Sequence, residues 1–196
     1  MPELTPVTNS SRPTTGNRLV VLDRDGVINR ESAAFIKTAD EWLPLPGSLG
    51  AIADLTHAGF VVVVATNQSG VGRGLITATA LREINSRMCR CIEMAGGNLG
   101  GIFICPHHPD DNCSCRKPKP GLLHQIEAQF GCSLAGRPAI GDSARDLEAA
   151  RAVSARAILV RTGNGIETER KMRDGNVEVF DDLAAASRSL INSGVA

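Results

Sequence analysis

Short runs of aliphatic and β-branched residues alternate along the chain with segments in which apolar residues recur every three or four positions. The runs are short and most of them end at a polar residue, which is typical of strands buried on both faces of a sheet. The longer segments have the spacing of amphipathic helices. Strands are predicted over residues 19–22, 60–65, 100–104, 138–140 and 157–160, and helices over 46–57, 77–92, 120–130, 146–152 and 183–191.

This alternation of strand and helix predicts an α/β domain with a parallel sheet covered by helices on both faces. We place that single domain at residues 18–192. Residues 1–17 are rich in Ser, Thr, Pro and Asn, so we expect a flexible N-terminal tail there.

Polar side chains follow the predicted strands in four segments that lie far apart in the sequence. In parallel sheets, ligands bind beyond the carboxyl ends of the strands. We therefore expect these residues to meet at one edge of the sheet. They are Asp23, Asp25, Thr66, Asn67, Lys117 and Asp142.

The composition argues against several classes of protein. The 196 residues include 21 basic and 21 acidic ones, and the resulting zero net charge argues against nucleic-acid binding. Aromatic residues are only 3% of the chain, too few for a base-stacking platform. The longest apolar run, residues 60–65, is far shorter than the ~18 residues of a membrane span. With no basic-then-apolar N-terminal pattern, we expect a cytoplasmic protein.

Two carboxylates directly after the first strand indicate phosphoryl transfer. Asp23 can attack phosphorus, and Asp25 can protonate the leaving oxygen and later activate water. Like charges 4 Å apart repel by ~4 kcal/mol at an effective dielectric of 20, so a phosphate needs a cation to approach. Mg²⁺ prefers oxygen ligands shared with phosphate, and Asp142 is a candidate further ligand. The alternative is an ordinary turn, since Asp and Gly26 both favour turns.

Three further residues have both a functional and an ordinary interpretation. The Thr66 hydroxyl could hold phosphoryl oxygens, or it could cap a helix or turn. Lys117 could balance the charge on the transferred phosphoryl group, or it could be a solvated surface lysine. Asp146 could support the metal site from outside, or it could be an acid favoured by the dipole at a helix N-terminus.

Cysteine and histidine residues are clustered in residues 105–115, which we call the Cys/His loop. Their spacing is C-x-H-x5-C-x-C, and three thiolates with one imidazole complete a tetrahedral structural zinc site. His107 and His108 compete for the fourth position, and free thiols are the alternative. The remaining cysteines are interpreted as packing residues: Cys89, Cys91 and Cys132.

Taken in order, the DxDG sequence, Thr66, Lys117 and the Gly-Asp pair at 141–142 match the four motifs of the haloacid dehalogenase superfamily of phosphotransferases. Four longer sequence segments indicate one family within this superfamily. DRDGVIN (23–29), TNQSGVGRG (66–74), CPHHP (105–109) and CSCRKPKPG (113–121) resemble the D-glycero-D-manno-heptose 1,7-bisphosphate 7-phosphatases. The resemblance covers residues 18–190. It implies a three-layer Rossmann-like fold with about five or six parallel strands, a zinc-bound loop and no large cap domain.

The resemblance also implies an activity and its residues. The reaction is removal of the C7 phosphate from the heptose bisphosphate, which supplies nucleotide-activated heptose for lipopolysaccharide core biosynthesis. Asp23, Asp25 and Asp142 would hold Mg²⁺, and the family pattern selects His107 to join Cys105, Cys113 and Cys115 on Zn²⁺. Thr66 and Lys117 would stabilise the phosphoryl group, and Arg116 would recognise the other phosphate. The residues expected near the substrate are Glu31, Ser32, Ala33, Ala34, Asn67, Gln68, Ser69, Arg116 and Ser143.

Three other functions compete with this one. Histidinol-phosphatases share the core and the Cys/His loop, but they typically have Asp at position 69 and lack the Arg-Gly at 73–74. Polynucleotide 3′-phosphatases are disfavoured by the zero net charge. A non-catalytic zinc-binding module is disfavoured because no catalytic position is missing. We expect a monomer that binds neither nucleic acid nor membrane, and the preferred sugar anomer stays open.

Overall fold

The computed structural model describes residues 7–8, 18–172 and 177–193. Its centre is a seven-stranded sheet. The strands are β1 Val7–Thr8, β2 Arg18–Leu22, β3 Phe60–Asn67, β4 Leu99–Cys105, β5 Pro138–Gly141, β6 Arg156–Val160 and β7 Glu178–Phe180. Six strands are parallel, and β1 pairs antiparallel with β4. The order across the sheet is β1-β4-β3-β2-β5-β6-β7, so β2, which directly precedes the DxDG sequence, lies in the middle.

Helices cover both faces of this sheet and complete three layers. They are α1 Ser48–His57, α2 Ser69–Gly72, α3 Ala78–Met94, α4 Gly121–Phe130, α5 Ala144–Ala152, α6 Gly165–Lys171 and α7 Leu183–Asn192. Successive strand residues point to opposite faces. Val20 and Leu22 of β2 accordingly pack in one apolar core with α1, α3 and α7, while Leu19 and Val21 pack in the other with α4 and α5. The predicted fold class is confirmed.

The predicted elements are found with ends shifted by a few residues. The helix predicted from residue 77 begins one residue later, because Thr77 is its cap and its hydroxyl accepts a hydrogen bond from the Ala80 N–H at 3.0 Å. Four elements were not predicted from the sequence, namely β1, β7, α2 and α6. These elements are short, and α6 buries only Gly165 and Thr168, so none of them has a measurable apolar period. Within the described segments no helix is long and apolar enough to cross a membrane.

No cap domain is inserted in the described chain between β2 and α1. Residues 31–46, which we call the flap, are instead held against the body by Trp42. That indole is fully buried and donates a hydrogen bond to Asn29 Oδ1 at 2.9 Å. The predicted tail lies outside the described residues except at Val7–Thr8, which form β1.

Candidate active site

The carboxyl ends of the central strands form one pocket at the edge of the sheet. Asp23 follows β2, Thr66 lies near the end of β3, and Asp142 follows β5. Lys117 comes from the segment after the Cys/His loop, and all four side chains line the same pocket as Asp25. The structure therefore brings together the residues that the motif analysis selected.

Lys117 is buried between two carboxylates. Its Nζ lies 3.0 Å from Asp23 Oδ1 and 2.5 Å from Asp146 Oδ1, and it also donates to the Ala65 carbonyl oxygen at 2.7 Å. Burial alone would lower the pKa of Lys117, but Asp146 and Asp23 outweigh it and raise that pKa. The side chain is thus a fixed cation, not the solvated surface lysine of the alternative interpretation.

Three carboxylates share a small volume beside this cation. One oxygen atom from each of Asp23, Asp142 and Asp146 lies within 4.8 Å of the others. Burial first, and then the charge of Asp146, raise the pKa of Asp23 to about 8 despite Lys117. Burial is also the main reason why the pKa of Asp142 is raised to about 6. Buried oxygen ligands whose mutual repulsion is not neutralised fit a divalent cation such as Mg²⁺.

Asp146 serves two purposes at once. Its Oδ2 accepts hydrogen bonds from the Ser143 N–H at 3.1 Å and from the Ser143 hydroxyl at 2.5 Å, which caps α5. Its Oδ1 is the one that contacts Lys117. Burial would raise the pKa of Asp146, but Lys117 and Ser143 lower it. The cap agrees with the helix N-terminus interpretation, and the support of a metal site by Asp146 stays a prediction.

The Asp25 carboxylate lies outside this cluster and is surrounded by donors. Arg24 Nη2 donates to both of its oxygens at 2.9 Å, Asn29 Nδ2 to Oδ1 at 2.8 Å, and Gln68 Nε2 to Oδ2 at 2.7 Å. Burial would raise the pKa of Asp25, but Arg24 and these hydrogen bonds lower it. The main-chain carbonyl oxygen of Asp25 accepts no hydrogen bond within the described parts of the chain.

Two glycines enclose the Asp142 side chain. Gly26 and Gly163 both have positive φ angles, and a Cβ at either position would lie 2.1 or 2.2 Å from Asp142 Oδ2. The same oxygen accepts the Asn164 N–H at 2.8 Å. The Asn164 side chain also contacts the Glu31 carboxylate, which joins the flap to this part of the site. Only glycine allows the backbone to approach the carboxylate this closely.

Asn67 positions Lys117. Its Nδ2 donates to the Lys117 carbonyl oxygen at 3.0 Å, and its Oδ1 accepts the Lys117 N–H at 3.1 Å. This pair of hydrogen bonds joins residues 50 positions apart in the sequence. Gln68 connects Thr66 with Asp25, because its Nε2 donates to Thr66 Oγ1 at 2.9 Å as well as to the Asp25 carboxylate.

The residues expected near the substrate divide into two groups. Ala33, Ala34 and Ser143 do not line the pocket, and the Ser143 hydroxyl is engaged by Asp146. Arg145, on the first turn of α5, lines the pocket but was not predicted to do so. Its position three residues after Asp142 of the Gly-Asp motif was the feature of the sequence that could have indicated it. The expected residues that line the pocket are Glu31, Ser32, Asn67, Gln68, Ser69 and Arg116.

The side chains of the Cys/His loop converge on one point. The Cys105, Cys113 and Cys115 sulfurs lie 3.6 Å apart in two of their pairs, and His107 Nδ1 is 3.3 Å from Cys115 Sγ. Tetrahedral Zn–S bonds of about 2.3 Å place sulfurs about 3.8 Å apart, so these separations fit zinc. His108 is used elsewhere, because its Nδ1 accepts the Asp110 N–H at 3.2 Å.

The Cys/His loop also contacts the segment that follows β3. The Cys105 carbonyl oxygen accepts the Gln68 N–H at 2.7 Å, and the Pro106 carbonyl oxygen accepts the Gly72 N–H at 2.8 Å. A Cβ on Gly72 would lie 2.4 Å from the backbone nitrogen of His108, so α2 packs directly on the loop. The loop therefore supports both Lys117 and the segment that carries Thr66.

Comparisons with known proteins agree with this geometry. A family model described as HAD-hydrolase-like matches residues 114–186. The chain is 50% identical over 173 residues to a D-glycero-β-D-manno-heptose-1,7-bisphosphate 7-phosphatase of Pseudomonas aeruginosa, covering 88% of this chain and 97% of that protein. It is 43% identical over 182 residues to the protein of the same name from Neisseria meningitidis serogroup B, covering 91% of this chain and 97% of that protein.

A solved structure is similar over nearly its whole length. It is the D,D-heptose 1,7-bisphosphate phosphatase of Bordetella bronchiseptica, described as complexed with magnesium and phosphate. The TM-score is 0.88 at 48% identity, and the match covers 90% of this chain and 99% of that chain. The corresponding enzyme from Burkholderia thailandensis matches with a TM-score of 0.71 at 40% identity, over 88% of this chain and 97% of that one.

Proposed function

We propose a function on the premise that this chain belongs to the family of D-glycero-β-D-manno-heptose-1,7-bisphosphate 7-phosphatases, to which it is 43–50% identical over most of its length. The protein is a phosphatase that removes the C7 phosphate of the heptose bisphosphate and leaves heptose 1-phosphate. The observation that carries this proposal is the group formed by Asp23 with the buried Lys117 and Asp142 at the carboxyl end of the central strands.

The first half of the reaction transfers the phosphoryl group to the protein. An Asp23 carboxylate oxygen forms a bond to phosphorus while the bond from phosphorus to the C7 oxygen breaks. Asp25 gives a proton to that leaving oxygen. The Lys117 ammonium and the Thr66 hydroxyl, which lie in the same pocket, hold the phosphoryl oxygens as charge develops on them.

The second half releases phosphate. Water attacks phosphorus, Asp25 accepts a proton from that water, and the bond between Asp23 and phosphorus breaks. Before substrate binds, Asp25 is a carboxylate because Arg24, Asn29 and Gln68 overcome burial and keep its pKa low. A phosphate dianion bound beside it raises that pKa by repulsion between like charges, so Asp25 takes up a proton from solvent when the substrate binds. It gives this proton to the C7 oxygen in the first half and is again a carboxylate when water attacks in the second.

Mg²⁺ fits the oxygen atoms at this position. Asp23 and Asp142 would hold it with their carboxylates. The carboxylate of Asp25, the third predicted ligand, already accepts bonds from three side chains, so we assign its main-chain carbonyl oxygen to the metal. When bound, the cation neutralises the repulsion between the carboxylates and the substrate phosphate. Zn²⁺ would bind Cys105, His107, Cys113 and Cys115 as a closed structural site.

The experiment is a substrate panel with purified protein and Mg²⁺. Phosphate release is measured with both anomers of heptose 1,7-bisphosphate, with histidinol phosphate and with a 3′-phosphorylated oligonucleotide. We expect one bisphosphate anomer to have the highest kcat/KM. A preference for histidinol phosphate would replace this function with the related one, and no release from any substrate would support the zinc-binding module. Sedimentation and cell fractionation would test the predicted monomer and cytoplasmic location.

A further inference from the structure

The charged residues of the pocket separate into paired and unpaired groups. Arg24 is bound to Asp25, and Lys117 is bound to Asp23 and Asp146. Arg116 and Arg145 also line the pocket, yet neither forms a salt bridge or side-chain hydrogen bond with any residue that the structure describes. The pocket therefore contains two guanidinium groups whose charge no carboxylate neutralises by direct contact.

Arg116 is half-buried, and its Nη1 atom is buried with no hydrogen-bond partner in the described chain. A buried donor without a partner is costly, and an anion entering the pocket would satisfy it. The family resemblance implies that Arg116 recognises the second phosphate of the substrate, and it names no other residue for that phosphate.

Arg145 lies on α5, whereas Arg116 directly follows the Cys/His loop. It is the second residue of α5, and it precedes Asp146, whose carboxylate is fixed by Ser143 and Lys117. Its backbone is thus held in place, while its exposed side chain lines the pocket. Its charge acts electrostatically on Asp146 without a direct bond. A planar guanidinium can donate two parallel hydrogen bonds to a phosphate, which suits it to an anion that arrives with the substrate.

We propose that Arg145 is a specificity residue that binds the non-reacting phosphate of a sugar bisphosphate, together with Arg116. This inference rests on the proposed function and adds a residue to its substrate site. The reacting phosphate lies at Asp23 and Lys117, and the second phosphate lies at the two arginines. The protein consequently selects bisphosphates over monophosphates of the same sugar.

The test compares heptose 1,7-bisphosphate with heptose 7-phosphate, which lacks the second phosphate. In Arg145→Ala we expect the ratio of the two kcat/KM values to fall about 10-fold or more, mainly through KM for the bisphosphate. Arg145→Lys keeps the charge but loses the bidentate geometry, so it should restore part of the ratio. The matched control is Arg90→Ala, which removes an exposed arginine of α3 that does not line the pocket and should leave the ratio unchanged.

Two results would overturn the inference while leaving the proposed function in place. One is a wild-type ratio in Arg145→Ala, and the other is an equal loss on both substrates with KM unchanged, which indicates a structural role. A wild-type protein that does not hydrolyse the bisphosphate would instead refute the proposed function, and the inference with it. Thermal unfolding of each variant verifies that the fold is retained.

Discussion

The carboxylate cluster and the Cys/His loop lie on adjoining parts of one pocket, but they are kept in place differently. Asp23, Asp142 and Asp146 follow strands of the sheet or begin α5, and the backbone around them is fixed by β ladders, glycine contacts and a helix cap. In the Cys/His loop only the cysteines contact the apolar cores. The sheet and α5 hold three mutually repelling carboxylates together, whereas the conformation of the Cys/His loop depends on its own cysteine and histidine side chains.

This difference leads to different predictions for the proposed Mg²⁺ and Zn²⁺ sites. Loss of Mg²⁺ should leave the fold intact, because the β ladder, the glycine contacts and the α5 cap hold the backbone around the carboxylates. Loss of Zn²⁺ should loosen residues 105–115 and, with them, the backbone of Arg116 and Lys117. The two sites can therefore be separated by experiments that measure structure and turnover in the same variant.

The largest expected effect is that of Asp23→Asn. The amide cannot form the phosphoryl bond, so turnover should fall by more than about 1,000-fold. The fold should become more stable in the absence of Mg²⁺, because burial and Asp146 raise the pKa of Asp23 to about 8 and its charge is unfavourable there. Phosphate release and urea unfolding of the same preparation measure both. Activity near that of the wild type would remove Asp23 as the nucleophile.

A pH series on the Mg²⁺-free protein tests whether the sheet holds unfavourable charge. Burial raises the pKa of Asp142 from 3.8 to about 6. The folded state then binds a proton more tightly than the unfolded state, so stability is lost as pH rises between those values. At one pKa unit per 1.36 kcal/mol, the contribution of Asp142 is on the order of 3 kcal/mol at most.

Urea unfolding at several pH values measures this loss, in buffers free of Mg²⁺ but without a chelator that would remove Zn²⁺. Mg²⁺ binds the ionised carboxylates, so the stabilisation it gives should grow as pH rises. Asp142→Asn is the reference, because Asp25 and Asp146 have lowered pKa values and make the stability of both proteins rise with pH. The wild type should therefore lose stability relative to Asp142→Asn as pH rises over this range. A difference between the two proteins that does not change with pH would contradict the idea that the Asp142 charge is held unfavourably.

How much of this organisation follows from sequence depends on the distance over which a residue acts. The DxDG sequence and the Cys/His spacing are local, so their residues could be selected before the fold was known. Asn67 was expected near the substrate, but its side chain bonds a backbone segment 50 positions away. The contact of Lys117 with Asp146 is equally long-range, and no periodicity or motif encodes such pairs. Arg145 was missed because an exposed arginine on a helix is ordinary until a pocket is seen beside it.

The next effect in size concerns the Cys/His loop. Cys113→Ser should lose zinc and lower kcat/KM by about 10–100-fold, the range typical of residues that support a site without touching the substrate. Cys132→Ser is the matched control, since Cys132 is a half-buried free cysteine outside the cluster and its loss should leave zinc in place. Metal analysis and turnover are measured together. Full activity in a zinc-free Cys113→Ser protein would show that the loop needs no metal to position Lys117.

The smallest effect tests the direct link between the two regions, which is the pair of hydrogen bonds from Asn67 to the Lys117 backbone. Hydrogen bonds of this kind contribute about 0.5–1.5 kcal/mol each, so Asn67→Ala should lower kcat about 10-fold. Zinc content should not change, because Asn67 is not among the clustered ligands. Asn192→Ala removes an exposed amide at the end of α7 and should have no effect on either quantity. If Asn67→Ala kept full kcat, the Cys/His loop alone would be sufficient to position Lys117, and the sheet would contribute the carboxylates only.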